Sequence, residues 1–199
     1  MVSCVLLAAG QSERFGSPKA LVEFQQKPLI TEIIDGLIQS QVIEIIVVLG
    51  AHHEKIEPHI LNHTKVKSVY NKDYKNGQTS SFQAGIKVLR PNTPGAMLLP
   101  VDVPFVKVET INLLITHFLK CQSKILIPTY HGKKGHPPIF HQSIFNEINM
   151  LPHTQGINTV IHRHQDTLSR MDCDDIGVLD TFNTQEEWQR LLFVRGIRG

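Results

Sequence analysis

The 199 residues fit one domain of ordinary size, and 41% hydrophobic against 19% charged residues describe a globular chain, not a disordered one. A formal net charge of +2, with no long basic run, argues against a nucleic-acid footprint, and no segment approaches the roughly 20 apolar residues that span a bilayer. Three widely spaced cysteines, Cys4, Cys121 and Cys173, predict reduced thiols in a cytoplasmic protein and neither a disulfide framework nor a zinc knuckle.

In chain order, Val2 to Leu7 is a short, nearly continuous apolar run ending in Ala8-Ala9-Gly10, the pattern of a buried parallel strand. Only Met1 precedes it, so a strand fits better than a secretory leader, which needs a basic start. Gln11 to Ala20 is polar and reads as a loop. Pro28 then opens a helix with Leu29, Ile30, Ile33, Ile34, Leu37 and Ile38 at helical spacing. Glu44–Gly50 predicts a second buried strand, His53–Leu61 a helix, and Val66–Tyr70 a third strand. Gln78–Leu89 predicts a helix after the turn at Asn76-Gly77, and Ala96–Leu99 a fourth strand running into Pro100-Val101-Asp102. A helix over Lys107–Leu119 and a strand over Lys124–Pro128 follow. Beyond them come a hairpin near Gly132, extended residues at Ile139-Phe140, two short helical pieces, and a last helix, Thr184–Phe193, carrying Trp188.

Strands alternating with helices imply right-handed βαβ units. The expected fold is therefore a single α/β domain over residues 1–199, doubly wound, with a mostly parallel sheet and helices on both faces. Ligands bind at the carboxyl ends of such strands, so the loops after residues 7, 70 and 99 should share one rim.

The first of these loops, Leu7-Ala8-Ala9-Gly10-Gln11-Ser12-Glu13-Arg14-Phe15-Gly16-Ser17-Pro18-Lys19, has small residues that let backbone approach a ligand and N–H groups that can form an anion nest. Arg14 can clamp phosphate oxygens as a fork, and Lys19 offers a compact charge to an α-phosphate. Neither the P-loop spacing nor GxGxxG is present. Asp102, ending a buried strand, can hold Mg²⁺ against phosphates, although a helix cap or turn aspartate reads the same way. Asn76-Gly77-Gln78-Thr79-Ser80-Ser81-Phe82-Gln83-Ala84-Gly85 opens a helix, where a serine commonly serves as a cap. Lys134-Gly135-His136-Pro137 on its own reads as a turn. No His–Ser or His–Cys arrangement suggests a nucleophilic triad.

The first loop resembles the signature L-A-A/G-G-x-S-x-R-M-G-x-x-K of the molybdenum cofactor nucleotidyltransferase (MobA-like) family, with Phe15 in place of Met. Pro100–Pro104 resembles its Asp-x-Pro element, whose aspartate binds metal. Asn76–Gly85 resembles its G-x-x-x-S-[hydrophobic]-x-A-G stretch, which faces the base, and Lys134–Pro137 resembles its R/K-G-H-P element beside the acceptor pocket. Asp180–Glu187 resembles its D/N-x-D/N-T-P-E-D element, with Thr181 and Gln185 as departures. Its G-D-x-G segment has become His153-Thr154-Gln155-Gly156.

The resemblance implies a Rossmann-like nucleotide-diphospho-sugar transferase fold and a Mg²⁺-dependent nucleotidyltransferase. Arg14, Lys19 and Asp102 would be catalytic. Leu7, Ala8, Ala9, Gly10, Gly77 and Ser81 would bind the nucleotide, and Gly135 and His136 the acceptor. Asp102 would share the metal with Asn183 or, by a shift of one residue, Asp180. Ala9 matches the LAAG of the cytidylyltransferase branch and not the LAGG of the guanylyltransferase branch, so CTP is expected. The expected acceptor is molybdenum cofactor, and a molybdoenzyme that receives the product is an implied partner. Another phosphorylated acceptor, such as a sugar phosphate or methylerythritol phosphate, is the second expectation. A cofactor carrier that consumes no NTP is the third.

Overall fold

The computed structural model describes residues 1–197. Strand β1 (Val2–Ala8) leads to a hairpin of β2 (Glu23–Phe24) and β3 (Lys27–Pro28), then α1 (Leu29–Gln39), β4 (Ile45–Leu49), α2 (His53–Ile56) and β5 (Val66–Tyr70). Next come α3 (Gln78–Ile86), β6 (Gly95–Pro100), α4 (Val108–Lys120), β7 (Ile125–Tyr130), β8 (Lys133–Lys134) and β9 (Ile139–His141). Helices α5 (Phe145–Asn149) and α6 (Asn158–Arg163), strand β10 (Leu168–Asp172) and helix α7 (Gln185–Val194) complete the chain.

The main sheet runs β10-β7-β9-β6-β1-β4-β5, with β8 attached to β7. Strands β1, β4, β5 and β6 are mutually parallel, as are β7 and β10. Among the described residues of this sheet, only β9, wedged between β6 and β7, and the short β8 run antiparallel to their neighbours. The mostly parallel α/β expectation holds. Parallel pairing buries both faces of a strand, which explains why all seven residues of β1 are buried. Val2, Cys4, Leu6 and Ala8 point to one core with α1, α4 and Trp188 of α7. Val5, Leu7 and Ala9 point to the other, with Phe82, Ile148 and Val160 of α3, α5 and α6.

Register places the site. Ala8 lies opposite Leu49, Leu49 opposite Tyr70, and Leu7 opposite Pro100. The carboxyl ends of β1, β4, β5 and β6 therefore share one edge, and β1 is the strand from which the chain order runs both ways. Such a switch point opens a crevice. The three chemistry-bearing loops do meet on one rim.

Four local expectations are corrected. The helix from His53 becomes 3-10 at Glu57–His59, where Pro58 cannot donate its backbone N–H. The helix from Gln78 ends at Ile86, three residues early. The β2–β3 hairpin lies between the predicted loop, which ends at Ala20, and the predicted helix, whose opening residue Pro28 belongs to β3, and β10 lies where no strand was expected. Leu168–Asp172 is a half-exposed edge strand, so its alternation is too polar to stand out. Among the described residues no helix is long and apolar enough to cross a membrane.

Candidate functional site

At the end of β1 the chain leaves the sheet at Ala9, whose carbonyl accepts from Ala51 N–H at 3.1 Å and ties the loop to the end of β4. The loop then turns through Ser12, in the left-handed region at φ 54°, into a 3-10 turn over Glu13–Phe15. The backbone N–H groups of residues 10–13 donate to no other protein group among the described residues. A Cβ on Gly10 would meet nothing within 4 Å, so neither packing nor a left-handed φ demands glycine there. What its small size offers is an approach to the backbone from the cleft side.

Facing this loop is a cleft of about 500 Å³. All of Leu7, Ala8, Ala9, Gly10, Arg14, Lys19, Gly77, Ser81, Asp102 and Asn183 line it. Its ionic centre is Lys19, whose Nζ donates to Asp102 Oδ2 at 3.0 Å, Asn183 Oδ1 at 3.1 Å and the Phe182 carbonyl at 2.7 Å. Arg14, exposed at the mouth, donates to the same Asn183 oxygen at 3.0 Å. Asp180 is not at this place. It is paired with Arg195, and burial pushes its carboxyl above the usual range while that guanidinium opposes the shift. Of the two residues considered beside Asp102, the structure brings Asn183 to it.

Asn183 owes its position to packing. Phe182 is fully buried and meets Trp188 with ring centres 4.7 Å apart and Phe15 at 5.5 Å. The Phe15 that departs from the signature thus stacks edge-on against the residue preceding Asn183. Thr184 caps α7 by accepting from Glu187 N–H, and the Glu187 carboxylate accepts from Asn183 N–H. Gln185, where the family pattern has proline, donates to the Phe15 carbonyl at 3.4 Å.

Gly77 has φ 88° and ψ −170°, a backbone shape open to glycine alone at little cost. Ser81 Oγ accepts from Asn71 Nδ2 at 3.1 Å, and the same amide donates to Ser80 Oγ at 3.0 Å. Neither serine caps α3; Ser80 instead bonds back to the carbonyls of Asp73 and Gly77. Asn71 was not singled out from sequence. Its place directly after a strand on the ligand rim is the signal that could have found it. Tyr74 and Lys75 line the cleft as well.

A second cavity of about 350 Å³ adjoins the first and shares Gly77 and Gln78 with it. His136 lines it together with His153, Thr154, Gln155 and Asn158, over Leu98, Ile157 and Ile161. Among the described residues, no Asp, Glu, Lys or Arg does. The His136 Nδ1 atom is buried and makes no hydrogen bond among the described residues. Burial holds this ring below the usual histidine range, with the Asp102 carboxylate pulling weakly the other way. Gly135 does not line the cavity. A Cβ there would lie 2.5 Å from the Val178 carbonyl, so its smallness is spent on packing.

Comparison with known proteins places the chain in a family. The MobA-like NTP transferase domain matches residues 4–168. Nicotine blue oxidoreductase of Paenarthrobacter nicotinovorans is 25% identical over 201 aligned positions, covering 96% of each chain. Molybdenum cofactor cytidylyltransferase of Escherichia coli (strain K12) is 25% identical over 136, covering 68% of each. A probable molybdenum cofactor guanylyltransferase of Bacillus mycoides (strain KBAB4) is 28% identical over 132, covering 65% of this chain and 62% of that one. Among solved structures, Rv0371c of Mycobacterium tuberculosis H37Rv superposes with a TM-score of 0.83 at 24% identity over 96% of this chain and 97% of the other. Its manganese complex gives 0.76 at 23% identity over 96% and 98%. The family match spans the signature loop, Ser81, Asp102 and His136 and stops before Asn183, and on that evidence the chain belongs to the MobA-like NTP transferase family.

Proposed function

We propose that the protein transfers a nucleoside monophosphate, most simply CMP from CTP, to the phosphate of a molybdenum-cofactor-type acceptor. The observation that carries this reading is the pairing of free loop amides with Arg14, Lys19, Asp102 and Asn183 around one cleft. Free N–H groups, a guanidinium fork and an ammonium are what a triphosphate requires.

Asp102 and Asn183 fit a divalent cation. Their oxygens already converge on a single ammonium at 3.0 and 3.1 Å, and one carboxylate with an amide oxygen suits Mg²⁺ that keeps phosphate and water ligands. The manganese complex of Rv0371c supports a divalent ion at such a fold. When bound, the ion supplies charge neutralisation at the phosphates. The loop amides and Arg14 hold the triphosphate in line with the acceptor. An acceptor phosphate oxygen bonds to the α-phosphorus, the bond from that phosphorus to the bridging oxygen breaks, and pyrophosphate leaves with the electron pair. The attacking phosphate is already ionised, so the rate comes from alignment and electrostatics and needs no strong base. Ala8, Ala9, Gly77 and Ser81 would seat the nucleoside.

The cytidylyl and guanylyl relatives support an acceptor of their kind equally, and Ala9 is what favours CTP. The acceptor would lie toward His136, where an uncharged, hydrogen-bonding cavity suits a neutral ring system better than a second charged group. Three unpaired thiols fit a reducing compartment, and we place the protein in the cytoplasm. The test is pyrophosphate release with each of the four NTPs, Mg²⁺ and purified molybdenum cofactor. Release with CTP that requires the acceptor is expected. Acceptor binding without pyrophosphate from any NTP would make the protein a carrier.

A further inference from the structure

The two oxygens assigned above to a metal are already shared by a cation of the chain itself. Lys19 Nζ donates to Asp102, Asn183 and the Phe182 carbonyl within 3.1 Å and lies 5.3 Å from the centre of the Phe182 ring. Three acceptors use all three N–H bonds of an ammonium. In this arrangement Lys19 has no proton left to offer a phosphate. Its side chain is only 11% exposed, so water screens little of its charge. A divalent ion held by the same oxygens would sit within a few ångströms of Nζ, and the single Asp102 carboxylate does not neutralise both.

We propose that Lys19 is a placeholder for the metal. The divalent ion displaces it from Asp102 and Asn183, and the freed ammonium then turns to the triphosphate. Metal and nucleotide therefore load together. Without nucleotide, the released ammonium has no anion to replace Asp102, and the metal binds weakly. With nucleotide, the phosphates give Lys19 new acceptors and the exchange becomes favourable, a positive coupling between the two ligands. This inference rests on the metal reading of Asp102 and makes a prediction opposite in sign to an ordinary loss of function. Removing Lys19 should slow turnover while tightening metal binding.

The experiment is titration of the nucleotide-free protein with Mn²⁺, followed by the paramagnetic signal of the free ion. Lys19→Met should bind Mn²⁺ on the order of tenfold more tightly than wild type, since the competing state is gone. Lys19→Arg, which keeps the charge, should stay near wild type, and Asp102→Asn should lose the binding. Unchanged or weaker Mn²⁺ binding in Lys19→Met, with loss in Asp102→Asn, would overturn the exchange and leave the metal site standing. Wild-type affinity in Asp102→Asn would remove the metal reading itself. Should Lys19→Met fail to fold, the wild type supplies the second readout. Mn²⁺ should raise acylation of Lys19 by an amine-reactive ester, measured by peptide mass, relative to the exposed Lys133. No rise overturns the proposal.

Discussion

The two cavities share a wall at Gly77 and Gln78 and differ in almost everything else. The larger is charged: Glu13, Arg14, Lys19, Lys75 and Asp102 line it, and the amides of residues 10–13 are free of other described groups. Among the described residues the smaller has no Asp, Glu, Lys or Arg in its lining, and it holds a buried imidazole nitrogen that none of them partners. A charged compartment aligns polyphosphate and stabilises charge that develops in transfer. A neutral, partly apolar one selects a ring by shape and hydrogen bonds. Under the proposed function, the division assigns rate and acceptor choice to different residues, and substitutions should separate them.

The largest effect is expected at Asp102. Asp102→Ala should lower kcat on the order of 10³-fold, about 4 kcal/mol, while the protein stays folded and acceptor still binds the neutral cavity. Near-normal turnover at saturating Mg²⁺, or lost acceptor binding, would break the division. Arg14→Ala comes next. Arg14 is exposed and shares Asn183 with Lys19, so its loss should raise KM for NTP by about tenfold and leave melting temperature almost unchanged. A fall in melting temperature with intact kinetics would make it structural.

His136 tests the neutral side. Burial lowers its pKa, so the unfolded chain binds a proton near the usual value of about 6.5 and the folded one only at lower pH. Its contribution is therefore complete above that value and declines as pH falls toward the folded pKa. His136→Gln should flatten this acid limb in melting curves and raise acceptor KM by about three- to tenfold, with KM for NTP unmoved. A matching rise in both KM values would merge the two compartments.

The smallest effect is at Ala9. The residue is 3% exposed and lies with Val5 and Leu7 of β1 in the core, although it also lines the cleft. Ala9→Gly should cost about 1 kcal/mol of stability and relax a CTP-over-GTP preference by no more than about tenfold. Comparing kcat/KM for the two nucleotides decides it. A ratio untouched by the change would make Ala9 a core residue only.

Much of this architecture was legible in the residue order. The apolar runs at Val2–Leu7, Glu44–Gly50 and Ala96–Leu99 announce buried parallel strands, and the polar loop behind the first carries small residues and cations that announce an anion site. Strand β10 was not legible, because an edge strand buries too little to impose a pattern. The antiparallel insertion of β9 is a pairing choice that periodicity does not record.

From sequence alone came the fold class, the rim, and the membership of Arg14, Lys19, Asp102 and Ser81 in one cleft. Tertiary structure decided what those residues do to one another. Arg14 and Lys19 meet Asn183 across separations of 169 and 164 residues, Asp180 turns away to Arg195, and Asn71, just after β5, donates to Ser81 of α3. The reason is physical. Hydrophobic spacing reports which face of an element is buried and is written locally, residue by residue. A hydrogen bond between distant loops exists only once the strand order has brought their ends to the same side of β1.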